Sequence, residues 1–141
     1  MFSIRDKIIF ITGGNRGIGR GIAIGLAQQG ARVVIAARDE KALVETSAFI
    51  KNRADICFYV TLDITSTESV LEAVDRAQKK ADGTIDALIN NAGVSAENVK
   101  AEEMLESDWL QVLDVNLNGY FRLGKAVVKG MIQKKAGKII N

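Results

Sequence analysis

Histidine is absent from all 141 residues. That removes a Ser-His-Asp triad, a Cys-His dyad and any His-ligated metal from the chemistry open to this chain. Cysteine occurs once, at Cys57, so neither an internal disulfide nor a zinc cluster can form. Long apolar runs are missing too. The run Ile8 to Ile11 is too short for the core of a secretion signal and far too short to span a bilayer. We therefore expect a cytoplasmic protein with no membrane partner. An excess of one charge is also lacking: 19 Lys+Arg against 17 Asp+Glu leaves +2, which gives no support to nucleic acid as a partner. Proline is absent as well, and nothing functional follows from that.

What remains is ordinary globular material. Hydrophobic residues make up 48% and charged residues 26%, which excludes a disordered chain. The length is that of one domain, enough to bury a real core. Along it, short β-rich runs alternate with helical stretches. Lys7 to Thr12 (KIIFIT) is a near-continuous apolar run, as in a strand buried on both faces. Ile18 to Gln29 follows as a helix, with Ile18, Ile22 and Leu26 at helical spacing, Ala23 and Ala27 beside them, and Gly30 as its stop.

Further strands are expected at Arg32 to Ala37, Ile56 to Val60 and Ile85 to Asn90, and a fifth opens at Lys138 to Asn141. Asp39 can cap the second helix, and Ser66 or Thr67 the third. Asp82-Gly83 reads as a turn. A polar loop, Ser95 to Lys100, leads to helical segments at about Ala101 to Leu105 and Ser107 to Lys134. Such alternation with short connections predicts an α/β fold, a doubly wound parallel sheet with right-handed crossovers.

Between the first strand and the first helix lies TGGNRGIG, Thr12 to Gly19. Its glycines follow G-x-x-x-G-x-G, with Gly13, Gly17 and Gly19. Residues without a Cβ allow a tight turn and close backbone approach to a pyrophosphate. The following helix offers free N–H groups and the positive end of its dipole. A glycine cluster alone could be a tight turn; its place in the strand–helix order makes it a dinucleotide loop.

Four motifs in this order resemble the short-chain dehydrogenase/reductase family: TGGNRGIG, LDI with Asp63, NNAG at Asn90 to Gly93, and VNLNG with Asn116. The resemblance runs from Lys7 to Asn141 and implies a Rossmann fold. It also implies that Gly13, Asn15, Arg16, Gly17, Ile18 and Gly19 contact a nicotinamide cofactor on its pyrophosphate and adenosine side. Asp63 would accept a hydrogen bond from the adenine amino group, backed by Ile64. Asn90, Ala92 and Gly93 would line the adenosine ribose and support the sheet. Each has a plainer alternative: Asp63 could start a helix, and Asn90-Asn91 could be a polar turn.

An acidic residue at the end of the second strand would select NAD. Here that end is Ala36-Ala37-Arg38. Arg38, with Arg16, which faces the same region in the family, suits a 2′-phosphate. The cofactor expected is NADP(H) rather than NAD.

In the family, catalysis uses Ser, a Tyr-x-x-x-Lys pair and an Asn. Only the Asn is present, as Asn116. Four residues after Tyr59 is Asp63, and four after Tyr120 is Gly124. The chain is thus expected to be the N-terminal portion of a longer single-domain enzyme, residues 1–141 being its dinucleotide-binding part and the sheet incomplete at the C-terminus. By resemblance, the whole protein would act on a carbonyl/alcohol pair: a 3-oxoacyl thioester on a carrier protein, or a sugar acid or polyol. The alternative is a non-catalytic NADP-binding or oligomerisation module that natively ends near Asn141. Trp109, Leu110, Leu113, Leu117, Phe121, Leu123, Val127 and Met131 form an apolar surface too wide for one helix to bury against a sheet. A homo-oligomer through residues 101–134, a tetramer as in the family, is expected. Cys57 reads as an inert core residue, Trp109 as packing or subunit contact, and Ser95 as a residue of the active-site mouth.

Overall fold

The computed structural model describes residues 3–51, 56–96 and 99–141. Part of the expected 95–100 loop lies outside these residues. The chain runs β1 (Ile8–Thr12), α1 (Gly17–Gln28), β2 (Arg32–Ala37), α2 (Glu40–Lys51), β3 (Cys57–Thr61), α3 (Thr67–Ala81) and β4 (Ala87–Ile89). A 3-10 turn at Ala101–Glu103, α4 (Glu106–Leu113), a π-turn at Asp114–Asn118, α5 (Gly119–Gln133) and β5 (Lys138–Ile140) complete it. All strand pairings are parallel and the order is β3-β2-β1-β4-β5. This is the doubly wound Rossmann arrangement, with its strand order reversing beside β1.

Strand alternation explains why helices cover both faces. On β1, Ile8 and Phe10 face the layer of α3 and α5 with Val70, Val74, Leu123, Val127 and Met131. Ile9 and Ile11 face the other layer with Ala23, Ala27, Leu43 and Ile50 from α1 and α2. No exposed face is left on the central strands, so their sequences are apolar throughout. Among the described residues no helix is long and apolar enough to cross a membrane.

Three local readings shift. The buried line of α1 is Gly19, Ala23 and Ala27, whereas Ile18 is 79% exposed. Close packing of α1 on the sheet selects the small residues, and Ile18 is left at the cleft. The fourth strand is shorter than Ile85 to Asn90, because the Asp86 side chain enters the ladder: Oδ2 accepts from the Ile8 N–H at 2.9 Å, and Oδ1 accepts from Lys134 at 2.8 Å. Burial raises the Asp86 pKa, but Lys134, the Ile8 N–H and Lys7 together leave it below the usual carboxylate range. The segment 107–134 is not one regular helix, since the π-turn centred on Asn116 interrupts it. Asp39 and Ser66 cap their helices as expected, accepting from Ala42 and Ser69, and Asp82 takes a left-handed conformation in the Asp82-Gly83 turn.

β3 is an edge strand, and its outward carbonyls are covered. Ser47 donates to Cys57, Lys80 to Tyr59 and Arg76 to Thr61. Side chains thereby occupy the acceptors that another strand would use. Cys57 itself is fully buried, and burial pushes its thiol up to about 11, consistent with an inert core residue.

Candidate functional site

A cleft of about 620 Å³ opens at the C-terminal ends of β1, β2, β3 and β4, where strand order reverses. Its floor is the glycine loop. Gly17 has φ +52° and open space where a side chain would stand, so the backbone there is bare to a ligand. Gly19 packs against the Gly13 carbonyl so closely that no Cβ fits. Arg16 precedes α1 without capping its first turn by a side chain, and that turn carries no acid. The N–H groups and positive dipole end of α1 therefore remain for an anion.

Thr12 joins this loop to the fourth strand. Its hydroxyl oxygen accepts from the N–H groups of Asn91 and Ala92, both at 2.9 Å. Asn91 returns the contact, donating Nδ2 to the Thr12 carbonyl at 2.9 Å. Asn91 lines the cleft and the buried Thr12 holds it there, and neither is among the site residues that the sequence motifs point to. The signal available was a hydroxyl at the end of β1 facing the start of NNAG.

The remaining expected residues divide. Gly13, Asn15, Arg16, Gly17, Ile18, Gly19, Arg38, Asp63, Ile64, Ala92 and Gly93 all line the cleft. Asn90 does not. It is 4% exposed, donates Nδ2 to Asn141 Oδ1 at 2.8 Å, and has no hydrogen-bond partner for Oδ1 among the described residues. Its place is between β4 and β5, where it serves the sheet.

Asp63 combines its two alternatives. Oδ1 accepts from the Thr65 hydroxyl at 2.7 Å and the Thr65 N–H at 3.0 Å, the turn that leads into α3. These bonds, with help from Arg38, hold its carboxyl below the usual range against a partial desolvation. They engage only Oδ1. Asp63 is thus a fixed, ionised acceptor at the cleft wall. Asp39 also lines the cleft and uses Oδ1 in the α2 cap, while neither Arg16 nor Arg38 makes an ion pair among the described residues.

Asn116 clamps the loop after NNAG. Its Oδ1 accepts from the Val94 N–H at 2.9 Å, and its Nδ2 donates to the Val94 carbonyl at 2.8 Å. Both amide atoms are engaged, so the side chain positions Gly93 and Val94. The Tyr120 hydroxyl donates to the Ala92 carbonyl at 2.9 Å, and burial raises its pKa. It secures the same loop. Ser95 is exposed next to the cleft, and Trp109 is 52% exposed on α4.

The residues present fit the adenosine and pyrophosphate half of a dinucleotide: a bare glycine backbone, an open helix N-terminus, two cations with no ion pair among the described residues, and a fixed carboxylate. The family profile for short chain dehydrogenases matches residues 7–141. A 3-oxoacyl-[acyl-carrier-protein] reductase of Vibrio cholerae is 37% identical over 139 residues, covering 99% of this chain and 55% of that protein. A gluconate 5-dehydrogenase from Burkholderia cenocepacia, solved in complex with NADP and tartrate, superposes with a TM-score of 0.89 at 33% identity, over 97% of this chain and 53% of that one. An NAD+-bound xylitol dehydrogenase superposes at 0.92 with 28% identity, over 98% and 53%. The chain spans about half the length of these relatives.

Proposed function

Because the chain belongs to the short-chain dehydrogenase family, whose members are oxidoreductases, we propose that it forms the nucleotide-binding part of an NADP(H)-dependent enzyme acting on a carbonyl/alcohol pair. The observation that carries the cofactor choice is the end of β2: Ala37 stands where an acid would select NAD, and Arg38 and Arg16 both line the cleft. A bound nicotinamide would supply or accept the hydride. The chain's own residues would hold the nucleotide: α1's N-terminus the pyrophosphate, Asp63 the adenine, Arg16 and Arg38 a 2′-phosphate. The substrate would be of the 3-oxoacyl thioester or sugar-acid and polyol type, as in the reductase and the gluconate dehydrogenase it resembles. The test is a titration with adenosine 2′,5′-bisphosphate and with 5′-AMP, which need only the adenosine half of the site. Tighter binding of the bisphosphate is expected, and equal affinities would refute the cofactor choice.

The second part of the proposal is a homo-oligomer, a tetramer in the whole enzyme. Of the eight apolar residues expected on 107–134, seven separate into two faces and Leu113 is half-buried between them. Leu123, Val127 and Met131 enter the core, while Trp109, Leu110, Leu117 and Phe121 are each more than half exposed. Large apolar groups left in water at this density mark an interaction surface. Self-association at micromolar concentration is expected in light scattering, and a monomer would count against it.

A further inference from the structure

Thr46 sits inside α2, where a β-branched residue has reduced side-chain freedom. It is 1% exposed, and its hydroxyl reaches out of its own helix. Oγ1 donates to the main-chain carbonyl of Asn15 at 2.9 Å, linking residues 31 apart in sequence. Asn15 is itself 8% exposed and lies in the glycine loop, one residue before Arg16.

The start of the loop is held by Asn91, whose Nδ2 reaches the Gly13 carbonyl at 3.4 Å, and by β2. The Gly13 N–H donates to the Ala36 carbonyl at 2.8 Å. Gly14 lies so close to Ile35 that a Cβ there would stand 2.7 Å from its Cγ2. Those contacts fix the start of the loop. Thr46 fixes its far end, and fixes it to the helix whose first turn is anchored by Asp39, the residue after Arg38.

We propose that Thr46 is a positioning residue for nucleotide specificity: by holding the Asn15 carbonyl it sets the spacing of Arg16 and Arg38 about a 2′-phosphate. This rests on the NADP(H) reading above. Two guanidinium groups share one phosphate only if both reach it in the same geometry. A buried carbonyl that loses its donor moves to find another, and moving Asn15 moves Arg16. The pyrophosphate and adenine contacts depend on α1 and Asp63 instead. Loss of the Thr46 hydroxyl should therefore change the preference between nucleotides more than the affinity common to them.

The experiment compares unsubstituted protein, Thr46→Ser and Thr46→Val. Dissociation constants for adenosine 2′,5′-bisphosphate and 5′-AMP are read from amide shifts in nuclear magnetic resonance titrations, which reach the millimolar range, with melting temperatures alongside. Valine keeps the shape of threonine and lacks the donor, whereas serine keeps the donor and lacks the methyl. Thr46→Ser should melt lower and keep the preference. Thr46→Val should lose about tenfold of the preference while 5′-AMP affinity stays within about twofold. A Thr46→Val protein that melts lower with its preference intact would overturn the inference, since the role would then be structural only. If Thr46→Val does not fold, Thr46→Cys, a poor donor of similar size, makes the same contrast. Equal binding of the two nucleotides by the unsubstituted protein, or binding of neither, overturns the NADP(H) reading itself, and the inference with it.

Discussion

Replacing Arg38 by Asp is expected to reverse the nucleotide preference of this protein. Arg38 follows β2 directly, is exposed at the cleft, and makes no ion pair among the described residues. The guanidinium is therefore available to a ligand. Each hydrogen bond to a charged group contributes about 1.5–3 kcal/mol. Together the Arg16 and Arg38 contacts should favour the 2′-phosphate by tenfold or more, since about 1.4 kcal/mol is a factor of ten. Arg38→Asp removes one of them and puts a carboxylate where it repels the phosphate and can accept from a ribose 2′-hydroxyl. Separate titrations of NADP(H) and NAD(H) against the two proteins would measure this. An unchanged order of affinities in Arg38→Asp would remove Arg38 from the site. The neighbouring Asp39 also lines the cleft, but its Oδ1 accepts from the Ala42 N–H at the start of α2, one place beyond the strand end where an acid would select NAD.

That Asp39 is a cap and Arg38 stands at the strand end was legible in the sequence, because both follow from local rules. An acid at the first residue before a helix satisfies its free N–H groups, and the residue before it is left to the strand's open end. The glycine loop was legible for the same reason: its spacing and its place after β1 are properties of one short segment. The residues that escaped are those whose role depends on a partner far along the chain. Thr12 and Asn91 meet across 79 residues, and Thr46 and Asn15 across 31. Nothing in the local pattern of either segment announces the other. Asn90 shows the converse. It belongs to the motif but turns toward β5 and Asn141, because alternate residues of a strand point in opposite directions. Helical period places Ile18 in line with Ile22 and Leu26, but the close approach of α1 to the sheet gives the buried line to Gly19, Ala23 and Ala27.

The other large effect concerns catalysis. A preparation of these 141 residues is expected to show no steady turnover of NADPH with ketone or oxoacyl substrates. The reaction needs a group that gives or takes a proton at the carbonyl oxygen, and neither tyrosine of this chain lines the cleft. Tyr120 donates its hydroxyl to the Ala92 carbonyl, and burial makes it harder to ionise rather than easier. Tyr59 lies on the edge strand β3 with Lys80 over its ring. Neither tyrosine has a lysine four residues on, where the charge would lower its pKa. Asn116 has both amide atoms on Val94. No histidine is available as a substitute. General acid–base catalysis contributes about 10²–10⁴-fold, and orientation of the hydride donor can contribute more. Tyr120→Phe should therefore leave the absent turnover unchanged and instead release the Ala92 carbonyl, loosening the loop and lowering the melting temperature. Steady turnover that survives Asn116→Ala would show that the chemistry lies with other residues. Turnover seen only in a longer protein, and lost when the tyrosine of its own Tyr-x-x-x-Lys pair is replaced, would show that this chain contributes the nucleotide site and the remainder contributes the acid.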